Sequence, residues 1–357
     1  MPSSRAKKTF PLSKTLFFIG TLVAVFSPTL WVSQFKGKTQ FSCSFMDDSF
    51  WHAHEMLFVF PLCIFLAMTK HKHKDPFTGF LIVLLLMGEQ LLFFLPLEKS
   101  IAFISFFPLT IIIVLTSIIL FPKKANYSHY LYLACSLFLK FVFLWQAIYE
   151  NSPVSIYQLE LGMTCVVLAF LTQEIFPQKY DRPLSSFLLI ILGLLCFQVP
   201  GPLGVIICLS FFVMMLILTL SASSLLTHKR DKKVLYLTYL WPSISLLILS
   251  YGHLTGSEQF LNALHCILAG GLSSYIARQH TPLNRPASFS SILILLLIFI
   301  GTFLRVVIPF FSPELLSPLL HHASGYWALG MIFLLLSTFS VKVQTLTSKH
   351  LKSTTSP

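Results

Sequence analysis

Charge is scarce in this chain: only 11% of its 357 residues are Asp, Glu, Lys or Arg, against roughly 25% in an ordinary soluble domain. So few charges exclude a surface covered by water. Several signatures are missing as well. There is no Walker A loop, no GxGxxG after a strand, no HExxH and no GxSxG, so nucleotide-driven transport and hydrolase chemistry have no support. The seven cysteines (Cys43, Cys63, Cys135, Cys165, Cys196, Cys208 and Cys266) form no CxxC pair. They read as small buried hydrophobes rather than as a disulfide framework or a thiolate metal site. No internal repeat is visible, which weakens a transporter built on inverted halves.

What is there is apolar. Hydrophobic residues make up 55% of the chain and Phe alone contributes 36. Runs such as Ile101 to Phe121 and Ser291 to Phe303 recur along the whole length with no soluble-looking block between them. A bilayer core needs roughly 20 apolar residues per helix. Cutting at Pro, Gly, Asn and charged clusters predicts twelve transmembrane helices, over 13–34, 51–69, 77–96, 100–121, 128–149, 154–176, 184–199, 202–226, 234–252, 259–278, 288–311 and 319–341. The fold class is therefore an all-α polytopic helix bundle. A basic tail (1–12) precedes one transmembrane domain (13–344), and a short tail (345–357) follows it. The Val-Pro-Gly-Pro turn between the seventh and eighth spans is short enough for a re-entrant hairpin.

The net charge of +12 raises the question of nucleic acid, but the basic residues sit between apolar runs. There they act as topology signals and as contacts with anionic lipid, and no nucleic-acid partner is expected. Alternate loops hold Arg5, Lys7, Lys8 and Lys14; Lys70, Lys72 and Lys74; Lys123 and Lys124; Lys179 and Arg182; Lys229, Arg230, Lys232 and Lys233; Arg278 and Arg285; Lys342, Lys349 and Lys352, twenty of the 25 Lys and Arg residues. The opposite loops hold only Lys36, Lys38 and Lys99. Positive charge marks the cytoplasmic side, so both termini are expected there.

With orientation set, the histidines divide by depth. His71, His73, His129, His228, His280 and His350 lie in or beside the basic loops, whereas His52, His54, His253, His265, His321 and His322 fall at the outer ends or in the outer halves of spans two, nine, ten and twelve. Imidazole is a common ligand of copper and haem iron, and a bundle core lets ligands from distant helices converge. It is equally a hydrogen-bonding partner between membrane helices.

His52 and His54 are two residues apart, about 200° around a helix. They are expected to serve different centres or roles unless one lies in a non-helical entry. Glu55 would accept a hydrogen bond from an imidazole and fix its tautomer, or simply answer the helix dipole. Glu89 and Arg305 lie inside spans, where a charge is costly unless paired or functional. Arg305 would neutralise haem propionates or Glu89, or form a structural pair. Lys140 either snorkels or pairs with Glu160. Trp31, Trp51, Trp145, Trp241 and Trp327 read as an interfacial belt.

The string Trp51-His52-Ala53-His54-Glu55-Met56-Leu57-Phe58, at the start of a span, resembles the NnrS family of bacterial inner-membrane proteins. So do Asn262-Ala263-Leu264-His265, the Gly270-Gly271 helix to Ala277-Arg278, Arg285-Pro286, and Phe303-Leu304-Arg305-Val306-Val307, which match the family's ALHALT, TR…HTGRP and LLRV segments in order. Glu174-Ile175-Phe176-Pro177 stands where the family has GRVIP, without the leading Gly-Arg. The stretch from Arg278 to Pro286 is one residue shorter than its counterpart, which shifts His280.

The resemblance implies a haem- and copper-containing membrane protein of the nitric oxide response or denitrification. His52, His54 and His265 would be its ligands, with Glu55, Glu89 and Arg305 beside them and His253, His280, His321 and His322 as further candidates. Nitric oxide would be a ligand and the bilayer the surroundings. Neither a covalent-haem CxxCH nor an electron-transfer domain points to a reductase. The competing expectation, from a different class, is a permease whose outer histidines bind a passing metal or small solute; a third is an assembly or scaffold factor whose histidines are structural.

Overall fold

The computed structural model describes residues 12–35, 51–52, 54–68, 76–95, 101, 105–106, 108–113, 115, 134–142, 156–173, 183–224, 229–256, 260–280 and 289–354. Among them there is no strand. The helices are α1 (Leu12–Phe35), α2 (Phe60–Met68), α3 (Pro76–Phe94), α4 (Ile156–Gln173), α5 (Pro183–Gln198), α6 (Gly201–Ser224), α7 (Lys229–Thr255), α8 (Phe260–His265), α9 (Ser273–His280), α10 (Phe289–Thr302), α11 (Ile308–Phe311) and α12 (Leu316–Thr354). Three π-helical segments are spliced in: π1 (Glu55–Val59) before α2, π2 (Cys266–Leu272) joining α8 to α9, and π3 (Phe303–Val307) joining α10 to α11.

Five stretches are long and apolar enough to cross a membrane: Thr15–Gln34, Gly201–Ser224, Leu235–Thr255, Ser291–Phe311 and Pro313–Thr338. Shorter apolar helices cover Glu55–Ile64, Phe80–Leu92, Leu161–Thr172 and Phe187–Gln198. Most expected spans therefore fall on helices. Those at 100–121 and 128–149 are described only in part, while residues 1–11, Cys43, Glu174 to Pro177 and Arg285-Pro286 lie outside the described residues. The Val199-Pro200 connection turns through Gly201, whose φ of 68° suits glycine. It joins α5 to a 24-residue α6, too long for one arm of a short re-entrant hairpin.

Polarity is arranged for a lipid solvent. Large apolar side chains such as Phe26, Leu91, Leu203, Ile217 and Leu336 are exposed, while His54, Glu55, Glu89 and Lys140 are buried. Burial against lipid tails brings no hydrophobic gain, so cohesion comes from close packing and internal hydrogen bonds. α10 packs along α12, α7 along α6, and α1 against both α2 and α12. At the α10–α12 crossing a Cβ on Gly301 would lie 2.8 Å from the Ala323 carbonyl oxygen and 2.9 Å from the Trp327 nitrogen, so only glycine lets the two backbones approach this closely.

The four described tryptophans depart from the expected belt, and Trp145 lies outside the described residues. Trp51, Trp241 and Trp327 are packed in the interior, and Trp31 is half-buried. The six described cysteines are free thiols, five of them buried, as small hydrophobes should be.

Candidate functional site

A π-helical turn holds one residue more than an α-helical turn, so it redirects the side chains on either side of it and occurs often at functional sites. Each of the three π segments here carries or adjoins intramembrane polar residues singled out in the sequence. π1 begins at Glu55, directly after His54 and three residues after His52; π2 follows His265; π3 contains Arg305 and follows Thr302. Together with α1 and α12 they surround a cavity of about 80 Å³, lined by Pro28, Trp31, Val32, His52, Met56, His265, Ala269, Gly301, Thr302, Arg305, Leu320, Ala323, Ser324 and Trp327.

Second contacts hold the cavity residues in place. His52 makes a hydrogen bond between Nδ1 and the Ser27 hydroxyl at 2.9 Å. Its ring stacks on Trp31 with centroids 5.0 Å apart and planes 15° from parallel. The opposite ring nitrogen, Nε2, is thus left for a ligand. His265 Nε2 lies 3.4 Å from Arg305 Nη2, a long hydrogen bond in which the guanidinium donates. Trp327 donates its indole N–H to the Ala269 carbonyl at 3.0 Å and lies 3.1 Å from the Ser273 hydroxyl, which ties α12 to π2 at the cavity wall.

His54 belongs to a second, separate cluster that does not line the cavity. Its Nδ1 meets Glu55 Oε1 at 3.0 Å, and Gln90 donates to the same oxygen at 3.0 Å. Its Nε2 lies 3.9 Å from Glu89 Oε1, and Glu89 is paired with Lys140. Nothing in this network is more than 2% exposed apart from half-buried Gln90. It is a desolvated set in which each carboxylate has a cationic or hydrogen-bonding neighbour, the condition under which charge is tolerated at membrane depth.

The two histidines of the Trp51 to Phe58 string therefore serve different environments, as their 200° separation requires. Glu89 is paired with Lys140 rather than with Arg305; the Glu160 side chain lies outside the described residues. His253 is structural, with Nε2 2.6 Å from the Cys196 carbonyl oxygen. His321 and His322 are exposed on α12, outside the cavity that their neighbours Leu320 and Ala323 line. His280 ends α9, and its side chain is outside the described residues. Sequence reasoning missed Ser27, Trp31, Met56, Thr302 and Trp327 as site residues. A serine beside a proline within an apolar helix was the one available signal, at Ser27-Pro28.

By donor type the cavity suits copper: imidazoles from His52 and His265 with the Met56 thioether beside them. Among the described residues no three of His, Cys, Asp and Glu cluster as a metal site. No haem is assigned to the cavity. The cavity holds about 80 Å³, less than the roughly 150 Å³ that takes a single benzene ring.

Apolar helices outside and a histidine-arginine cavity within define an all-helical membrane protein with an intramembrane polar site. The family profile described as NnrS protein matches residues 14–344 of the sequence, and the chain belongs to the NnrS family. Among curated proteins, no sequence match was found.

Proposed function

We propose that this protein binds copper in the outer cavity and acts in the response to nitric oxide, as a bacterial inner-membrane protein of twelve spans with its 1–12 and 345–357 tails in the cytoplasm. The observation that carries this reading is the convergence of His52, Met56, His265 and Arg305, from segments far apart in sequence, on one cavity. Family membership supports the role, and the concentration of Lys and Arg in alternate loops supports the topology. Copper held by His52 Nε2 and by His265, whose Nε2 Arg305 would have to release, would supply an open coordination position for nitric oxide.

The chain's own residues do the rest. Ser27 and Trp31 fix the orientation of the His52 ring. Trp327 and Leu320 add apolar surface to the lining. A volume of about 80 Å³ accommodates a diatomic molecule, since one water takes roughly 30 Å³. No haem is assigned to this cavity, and no step is routed through one.

The test is metal analysis with a visible absorption spectrum of the detergent-purified protein, before and after dithionite and nitric oxide. Copper that co-purifies with the wild type and is lost in His52→Ala and His265→Ala, but retained in His253→Ala, is the expected result. A colourless, metal-free preparation from copper- and haem-replete cells would overturn the proposal and favour a permease.

A further inference from the structure

We infer that the same cavity is a binding site for a small planar oxyanion, of the nitrite, nitrate or formate kind, held by Arg305 and Thr302. Three observations carry this. The first is charge balance. Arg305 sits in an apolar span and lines the cavity, yet among the described residues no carboxylate lies within ion-pair distance of it. Glu55 and Glu89 are engaged with His54, Gln90 and Lys140, and Glu314 is exposed on the turn between α11 and α12. The described partner of the guanidinium is a neutral acceptor, the His265 imidazole, across 3.4 Å. A guanidinium at this depth is costly unless an anion neutralises it, and no described carboxylate does so, whereas an anion bound in the cavity would.

The second is Thr302. Its hydroxyl is 1% exposed and has no hydrogen-bond partner, although a hydroxyl within a helix ordinarily bonds back to the carbonyl four residues earlier, as Thr21 does to Phe17. Thr302 lies at the entry to π3, three residues before Arg305, and both residues line the cavity. A buried hydroxyl without a partner, on a residue that lines a cavity, is a group open to a ligand atom.

The third is shape. A guanidinium presents parallel N–H donors in one plane, matched to two oxygens of a planar anion rather than to a spherical ion. At about 80 Å³ the space admits about two to three water-sized groups, since one water takes roughly 30 Å³, which suits a small anion. The stacked faces of Trp31 and His52 form a flat wall beside it.

The inference concerns the cavity to which copper is assigned above but needs no metal, so chelator-treated and copper-loaded samples separate the two. The full-length protein in detergent is titrated with nitrate, nitrite, formate, chloride and phosphate at constant ionic strength. Thermal unfolding is followed alongside calorimetric binding, with copper content measured on the same samples. Saturable stabilisation by nitrate, nitrite or formate, at least tenfold tighter than chloride or phosphate, is expected. Thr302→Val, which keeps the side-chain shape, is expected to weaken it roughly tenfold, the loss of one hydrogen bond to a charged group. Arg305→Lys, which keeps the charge and removes the planar fork, is expected to abolish the preference for planar anions.

Equal affinity for chloride or phosphate, no saturable effect, or unchanged affinity in a folded Thr302→Val variant would each overturn the inference. A phosphate preference would point to a lipid headgroup. Anion binding without copper retention would overturn only the proposed function, and copper retention without anion binding only this inference.

Discussion

Removing Lys140 should destabilise the bundle far more than removing Lys140 and Glu89 together. The lysine ammonium and the Glu89 carboxylate are paired, with side chains 2% and 0% exposed. Neither can reach water. In Lys140→Met the methylene stem still packs, but Glu89 keeps a charge with no cation beside it, only His54 Nε2 at 3.9 Å. Opposite charges about 4 Å apart attract by roughly 4 kcal/mol at an effective dielectric constant of 20. Measured losses on breaking one side of a buried pair are about 3–5 kcal/mol.

The double variant Lys140→Met with Glu89→Gln leaves no orphan charge, and replacing a buried pair by matched neutral side chains is often close to neutral. The assay is a double-mutant cycle on the purified protein, with unfolding in a denaturing detergent followed by tryptophan fluorescence. The expected order is wild type close to the double variant, with Lys140→Met lowest. A Lys140→Met variant within about 1 kcal/mol of wild type, or single effects that simply add in the double variant, would refute the reasoning.

Gly301→Ala drives a methyl group into the Ala323 carbonyl and the Trp327 backbone, at a cost of about 1–3 kcal/mol. Gly325→Ala on the same helix meets nothing within 4 Å and should be neutral or gain up to about 1 kcal/mol; thermal unfolding of the two variants compares them. Ser27→Ala frees the His52 ring and should weaken copper binding by roughly 10–100-fold, measured by competition with a chelator, with little change in melting temperature. His253→Ala removes the bond to the Cys196 carbonyl and should lower stability by about 1 kcal/mol while leaving metal content unchanged, which separates structural from ligating histidines.

The membrane character of this protein was legible in its composition, because a chain with 11% charged residues and runs of Phe, Leu and Ile has only lipid or its own interior to face. The polar residues that line the cavity were legible in part. His52, His265 and Arg305 stand out as polar groups in apolar stretches, and the two-residue spacing of His52 and His54 already sent them to different surroundings. Partnership was not legible. That Glu89 meets Lys140 rather than Arg305, that His253 serves a backbone carbonyl, and that Trp31 stacks on an imidazole instead of marking the membrane interface all depend on which helix faces lie together. The π turns at Glu55, Cys266 and Phe303 decide this by rotating the faces that follow them, and hydropathy periods do not register one extra residue in a turn. Sequence alone thus determined the solvent and the reactive groups, through transfer energies that each residue carries with it. Only tertiary structure decided which of those groups share a cavity, because that follows from the packing of helices distant along the chain.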